Sequence, residues 1–364
     1  MSQKVLQICF GDGYAGSAKM AILSSELLQN RGFDIIFLAS QNSLTEKRAL
    51  EKKIKVVALD TRQDFKLLLK EIFVLFEKEK PDFVISHHSL DRKVGIKLRS
   101  KFGKRFINIG YRHNISQSAP VIGALLYNYY FDYLIACGDG VGRSLVTSGI
   151  FKKKVKVIHY GIEVPENINV ISGDKIREQF GLQGKTILGC SAWFHKERKG
   201  FDILFKAFSK ITTEFLLFII GIHEDMKESV LKYAAEFGIK PDRIIMPGYV
   251  DNIEEYYKAM DIFIFPSRSE GFPLAPLEAG ASKLPIIASN IRGTNEFIQS
   301  GVNGILYPVE DSNALAENIT ILAASSEKMK LFGENAYQTV MEKYTDKVYG
   351  DNLFSFLSGI KEKC

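Results

Sequence analysis

The chain has few cysteines and no paired spacing among them. Cys9, Cys137, Cys190 and Cys364 form no C-x-x-C, so neither a thiolate metal site nor a dithiol redox motif is written in the sequence. The first three lie in apolar runs, where a thiol is a small buried hydrophobe, and a reduced, cytoplasmic setting is expected. Low-complexity tracts and internal repeats are missing, which excludes collagen, coiled coil and disorder as descriptions of the whole chain. No leader is expected, because the opening MSQKVLQICFGDG breaks its short apolar run at Gly-Asp-Gly. Nor is there a spanning segment. The most lipid-like stretch, residues 119–137, carries Asn128 and Asp132 and falls short of the roughly 20 apolar residues a span needs. It reads as a buried helix followed by a strand.

What is present is an ordinary globular composition, 46% hydrophobic and 25% charged, over 364 residues. That length suggests about two domains of roughly 150 residues each. The net charge of +6 hides a division. Residues 1–162 hold 26 Lys and Arg against 14 Asp and Glu, a net of +12; residues 163–364 hold 22 against 28, a net of −6. Residues 92–105 (RKVGIKLRSKFGKR) contain seven bases and no acid. A solvated helix face or an anionic surface would explain them. Nucleic acid is the minor option and is not expected as a partner, because no helix-turn-helix, zinc-finger or RNP pattern accompanies the charge.

Short β-branched or aromatic runs alternate with helical patterns along the chain. Candidate strands at 5–10, 35–39, 56–59, 83–86, 106–110, 133–137 and 155–158 form one series. Those at 186–190, 215–221, 244–246, 262–265, 286–288 and 304–307 form a second. Such alternation implies parallel βαβ units, and near-continuous apolar strands such as LLFII imply sheets buried on both faces. Residues 160–174 (YGIEVPENINVISGD) read as the linker. The expected fold class is α/β: two doubly wound, Rossmann-like domains facing across a cleft, at 1–162 and 163–340. Residues 341–364 are expected as a helix returning to the first domain.

Three features lie where such sheets bind ligands, at the carboxyl ends of strands. Gly11, Gly13 and Gly16 make a G-x-G-x-x-G between the first strand and helix. A dinucleotide site also needs an acid at the end of the second strand, and Ala39-Ser40-Gln41 offers none. The turn therefore reads as an acceptor-side or phosphate loop, or as a turn that lets chains pass closely. Second, a buried strand ends at Pro266 and a loop follows with Glu270-Gly271-Phe272-Pro273-Leu274. Glu278 lies inside the next helix, whose first turn suits Pro276. Two carboxylates flanking a helix N-terminus suit a diphosphate bordered by polyols; two solvated acids are the plain alternative. Third, residues 195–201 (HKERKGF) form a basic loop after the strand at 186–190.

The segment from Ile262, IFIFPSRSEGFPLAPLEAGASKLPIIASNIRGTNEFI, resembles the retaining glycosyltransferases of family 4 (group 1), which have the GT-B fold. Their E-x7-E signature matches at Glu270 and Glu278, and Gly293, Glu296, Gly301 and Gly304 sit as that family has them. The resemblance implies that Glu278 holds the donor ribose and Glu270 a sugar hydroxyl. It further implies that the backbone at Gly271, Phe272, Leu274 and Ala275 meets sugar and diphosphate. Lys199 would meet the diphosphate and His113 would face the donor sugar. The sequence departs from the family at Trp193, which stands where an arginine is usual; Lys196 or Arg198 could replace that cation.

Glu270, His113 and Lys199 are then the catalytic candidates, with Glu278 and Arg198 on the donor. The implied reaction moves a hexose-type sugar, with retention, from a UDP- or GDP-sugar to a glycan or lipid-linked acceptor in surface polysaccharide or glycolipid synthesis. No cofactor is implied. No D-x-D occurs, so metal-independent chemistry is expected. A weakened scaffold, a nucleotide-sugar epimerase and an NAD-dependent oxidoreductase are the alternatives. The basic first half is expected to meet an anionic membrane, with the enzyme peripheral on its inner face and residues 120–131 as core.

Overall fold

A computed structural model describes residues 2–13, 16–115 and 121–361. Cys364, and Tyr14 and Ala15 of the glycine turn, lie outside them. The chain forms two compact units, Met1–Gly161 with Asp346–Cys364, and Ile162–Thr345.

The first unit holds a sheet of seven strands: β1 (Lys4–Cys9), β2 (Asp34–Ser40), β3 (Lys55–Leu59), β4 (Phe83–Ser86), β5 (Ile107–Arg112), β6 (Tyr133–Ala136) and β7 (Val155–Val157). Their order is β3-β2-β1-β4-β5-β6-β7, and every pairing is parallel. The second unit repeats the plan with β8 (Thr186–Ser191), β9 (Phe215–Ile220), β10 (Ile244–Gly248), β11 (Ile262–Phe265), β12 (Ile286–Ser289) and β13 (Ile305–Tyr307), in the order β10-β9-β8-β11-β12-β13. Helices connect the strands, as parallel pairing requires. This is the α/β architecture expected from the alternation of strands and helices. In each sheet the winding reverses once, between β1 and β4 and between β8 and β11. Those reversals open the crevices where doubly wound sheets take ligands.

Strand composition explains the burial. All six residues of β9 (FLLFII) and all four of β11 (IFIF) are buried, because helices cover both faces. In the first unit Phe76 stacks on Phe102 at 4.3 Å between ring centroids, and both belong to its core. The helix Asp346–Lys361 packs on the helix Gly16–Gln29, with Phe354 edge-on to Phe33 at 6.0 Å.

Two expectations are corrected. The strand read at 106–110 continues to Arg112. Gly110 does not stop it; a Cβ there would lie 2.7 Å from Leu134, so the glycine serves close packing. The helix Val121–Tyr130 is not wholly core. Ala124 and, just beyond its end, Phe131 are buried, but Ile122, Leu125, Leu126 and Tyr129 are exposed. Among the described residues, only one face of this helix is covered.

Candidate active site

In the second unit the loops after β8 and β11 both leave the reversal point. Between β8 and the helix Phe201–Lys210 the chain turns back on itself: the Lys199 N–H donates to the His195 carbonyl at 3.1 Å, and the Arg198 N–H to His195 Nδ1 at 3.1 Å. Gly200 ends the turn with φ +68°, and a Cβ there would lie 2.1 Å from the Pro266 carbonyl oxygen. Glycine is required because two strand-end loops are in backbone contact there.

That contact brings the basic loop to the acidic one. Lys199 Nζ lies 2.7 Å from Glu270 Oε1, with both side chains almost fully buried. Arg198 approaches the other oxygen, Oε2, at 3.9 Å from a more exposed position. Lys196 turns away, its ammonium 4.2 Å from the centre of the Tyr233 ring. Trp193 is exposed and packs edge-on to His195. Of the two candidate replacements for the missing arginine, the structure thus brings Arg198 to Glu270.

The helix Leu274–Ala281 begins directly after this loop. Its N-cap is Pro273, which supplies no side-chain bond to the first turn, so no side chain at the cap competes for the amides of that turn. Gly271 and Phe272 are buried; Leu274 and Ala275 are partly exposed. Gly293 has φ +96°, and a Cβ there would meet the Gly271 carbonyl at 2.8 Å. Glu278 accepts a hydrogen bond at Oε2 from Tyr257 Oη, 3.1 Å away. Tyr257 is fully buried, and burial together with the Glu278 charge pushes its phenol well above the usual range, so it remains a donor.

Two positioning residues are invisible in the spacing. Tyr257 aims Glu278 from 21 residues away. Arg268 forms a bidentate pair with Asp202, 2.7 Å at each contact, and also bonds Glu310 and the Glu197 carbonyl. It thereby ties the Glu270 loop to the basic loop. A lone Arg in PSRSEG offers no sign of that role, because its partners come from two other segments.

In the first unit, the glycine turn lies against His88: a Cβ on Gly11 would come within 3.0 Å of the ring. Gly13 and Gly16 are exposed. Thr45 Oγ1 is within hydrogen-bond reach of the Gly11 and Gly13 carbonyls at 2.7 and 3.1 Å. Beyond β5, His113 belongs to a buried relay. Gln7 Oε1 accepts from His87 Nε2 at 2.7 Å, His87 Nδ1 then accepts from His113 Nε2 at 3.0 Å, and His113 Nδ1 faces the Tyr160 hydroxyl. Burial, then the nearby imidazoles and Arg92, hold the His113 ring well below the usual pKa, so it is neutral. The imidazole expected to face a sugar has both nitrogens engaged within its own unit.

Residues 172–339 match the family model described as glycosyl transferases group 1. The chain is 23% identical to the capsular polysaccharide biosynthesis glycosyltransferase CapM of Staphylococcus aureus, over 91% of each chain. It is equally similar, 23% over 91% of this chain and 90% of the other, to an Escherichia coli UDP-Gal:alpha-D-GlcNAc-diphosphoundecaprenol alpha-1,3-galactosyltransferase. Among solved structures, Anabaena HepE in complex with UDP and glucose superposes with a TM-score of 0.86 at 18% identity, covering 98% of this chain and all of that one. The fold is GT-B.

Proposed function

Because residues 172–339 match the model of the group 1 glycosyl transferases, we propose that the chain is a glycosyltransferase that transfers a hexose from a UDP-sugar, with retention, to a glycan or lipid-linked acceptor of a surface polysaccharide. The observation that carries this reading is the convergence of Lys199 and Arg198 on Glu270, directly before the helix N-terminus at Leu274. A departing diphosphate needs positive charge in place before the sugar bond breaks. Two cations and a helix end provide it without reorganisation. Glu278, aimed by Tyr257, is suited to accept from ribose hydroxyls. Glu270 has its charge balanced by Lys199, which suits hydrogen bonding to a sugar hydroxyl better than nucleophilic attack. His113 enters this reading as a neutral imidazole that holds its own loop, not as an acid.

The UDP in the HepE complex and in the name of the galactosyltransferase supports uridine over guanosine. UDP is expected to raise the melting temperature of the purified chain more than GDP or ADP. Glu278→Ala is expected to weaken UDP binding by roughly ten- to a hundred-fold, the loss of a charged hydrogen-bond partner worth about 1.5–3 kcal/mol. A folded Glu278→Ala protein with undiminished UDP affinity would remove Glu278 from the donor site.

Metal independence follows from the same charge arrangement. Turnover is expected to survive a chelator, since Lys199, Arg198 and the helix end offer positive charge where this reading puts the diphosphate. Activity abolished by chelation and restored by Mg²⁺ or Mn²⁺ would contradict it.

A further inference from the structure

We propose that Arg92, Arg112 and Tyr127, gathered at the carboxyl ends of β4 and β5, bind an anionic group of the acceptor, a phosphate or a carboxylate. The inference rests on the transfer reaction proposed above and names its acceptor chemistry: the acceptor is charged, not a neutral glycan.

Arg92 stands in the first turn of the helix Ser89–Phe102 and is only 8% exposed. Its Nη1 donates to the His87 carbonyl at 2.7 Å and to the Tyr111 carbonyl at 3.2 Å, so the guanidinium ties the end of β4 to that of β5. Its Nε donates to Tyr127 Oη at 3.2 Å. Nη2 lies 3.4 Å from the hydroxyl of Ser89, an exposed residue, which makes this the open side of the group. Arg112 is the last residue of β5 and is partly exposed. Its guanidinium carbon lies 5.9 Å from the centre of the Tyr127 ring. Two guanidiniums therefore meet at one phenol. Tyr127 Oη accepts from Arg92, which leaves its O–H to donate to a ligand.

The charge of this cluster is not balanced. Among the described residues neither Arg92 nor Arg112 has a carboxylate within ion-pair distance. Asp91, the acid nearest in sequence, is fully buried and engaged elsewhere: Oδ1 accepts from the Phe10 N–H at 3.2 Å and Oδ2 from the His88 N–H at 2.6 Å. Burial, then Arg92, pull the Arg112 guanidinium below its usual pKa. Burial acts to raise the Tyr127 phenol, yet Arg92 and Arg112 together bring it below its usual value. A cation in the first turn of a helix also opposes the helix dipole, so Arg92 adds positive charge where the helix end already supplies it. Buried charge without a partner is costly, and two such cations at a strand-end crevice mark a binding site. Doubly wound sheets take ligands at this end, and β4 borders the reversal of winding. A planar guanidinium fork matches the oxygens of a phosphate or a carboxylate. In the reading above the donor's diphosphate has its cations, Lys199 and Arg198, in the second unit, which assigns this anion to the acceptor.

Titration calorimetry on the full-length chain, with UDP present to occupy the donor site, tests this. Glucose 1-phosphate probes a phosphate source and glucuronate a carboxylate source, with glucose as the neutral control. One of the two anions is expected to bind, the tighter naming the source, and glucose is expected not to. Arg112→Gln should weaken the anion about ten-fold, the effect of losing a charged hydrogen-bond partner, and Tyr127→Phe about five-fold. Arg92 is left in place because it bridges two strand ends. Binding of neither anion, glucose binding as tightly as the anions, or undiminished anion binding by a folded Arg112→Gln protein overturns the proposal. So does sodium chloride at equal ionic strength abolishing the difference between the wild-type chain and Arg112→Gln. UDP binding is read first on the same samples, and Arg112→Gln should leave it unchanged. Failure of UDP to bind counts against the donor reading alone; the anion titration then runs without UDP and is judged by the same variants.

Discussion

Lys199→Ala is expected to lower turnover by about 10²–10³-fold, the effect of removing one preorganised donor from a site where negative charge develops. The expectation rests on two facts. Lys199 Nζ is 2.7 Å from Glu270 Oε1 and almost fully buried, so its charge acts in a weakly screened setting. Its removal leaves Glu270 with Arg198, 3.9 Å away and more exposed, as the remaining cation in its ion pairing. Because the two residues form one unit, the Lys199→Ala and Glu270→Ala losses should not add. A double-mutant cycle on kcat/KM, with folding checked by melting temperature, is expected to show strong coupling. Independent, additive effects, or a folded Lys199→Ala enzyme with normal turnover, would remove the pair from the chemistry.

Gly200→Ala should be the most damaging single-methyl change near the site. A side chain at φ +68° carries backbone strain, and its Cβ would sit 2.1 Å from the carbonyl oxygen of Pro266, a backbone atom that cannot swing aside. Strain and overpacking together suggest a cost on the order of 2–5 kcal/mol. The methyl would also separate the Lys199 loop from the Glu270 loop, so activity should fall more steeply than stability. Chemical denaturation and donor turnover measured on one preparation check both parts. Gly13→Ala, at an exposed position with nothing within 4 Å, serves as the contrasting change and should be mild in stability. Equal stabilities for the two variants would show that the close approach at Gly200 is relaxed in solution.

Local pattern was sufficient for part of this protein. Alternating apolar runs and amphipathic segments were enough to place two parallel sheets, because each strand's burial on both faces is recorded in its own residues. The two glutamates and the basic loop were legible for a similar reason: each lies within a few residues of a strand end, and strand ends are where doubly wound sheets bind. Other features depended on contacts between distant segments. Nothing in the order of residues pairs Tyr257 with Glu278, or Arg268 with Asp202 and Glu310. The choice of Arg198 over Lys196 beside Glu270 follows from the turn at Gly200, and the engagement of His113 from β1, β4 and Tyr160 meeting around one ring. The helix Val121–Tyr130 shows the limit most clearly. Its composition reads as core, but whether its apolar residues are covered is a property of the neighbour, and among the described residues only the face bearing Ala124 has one.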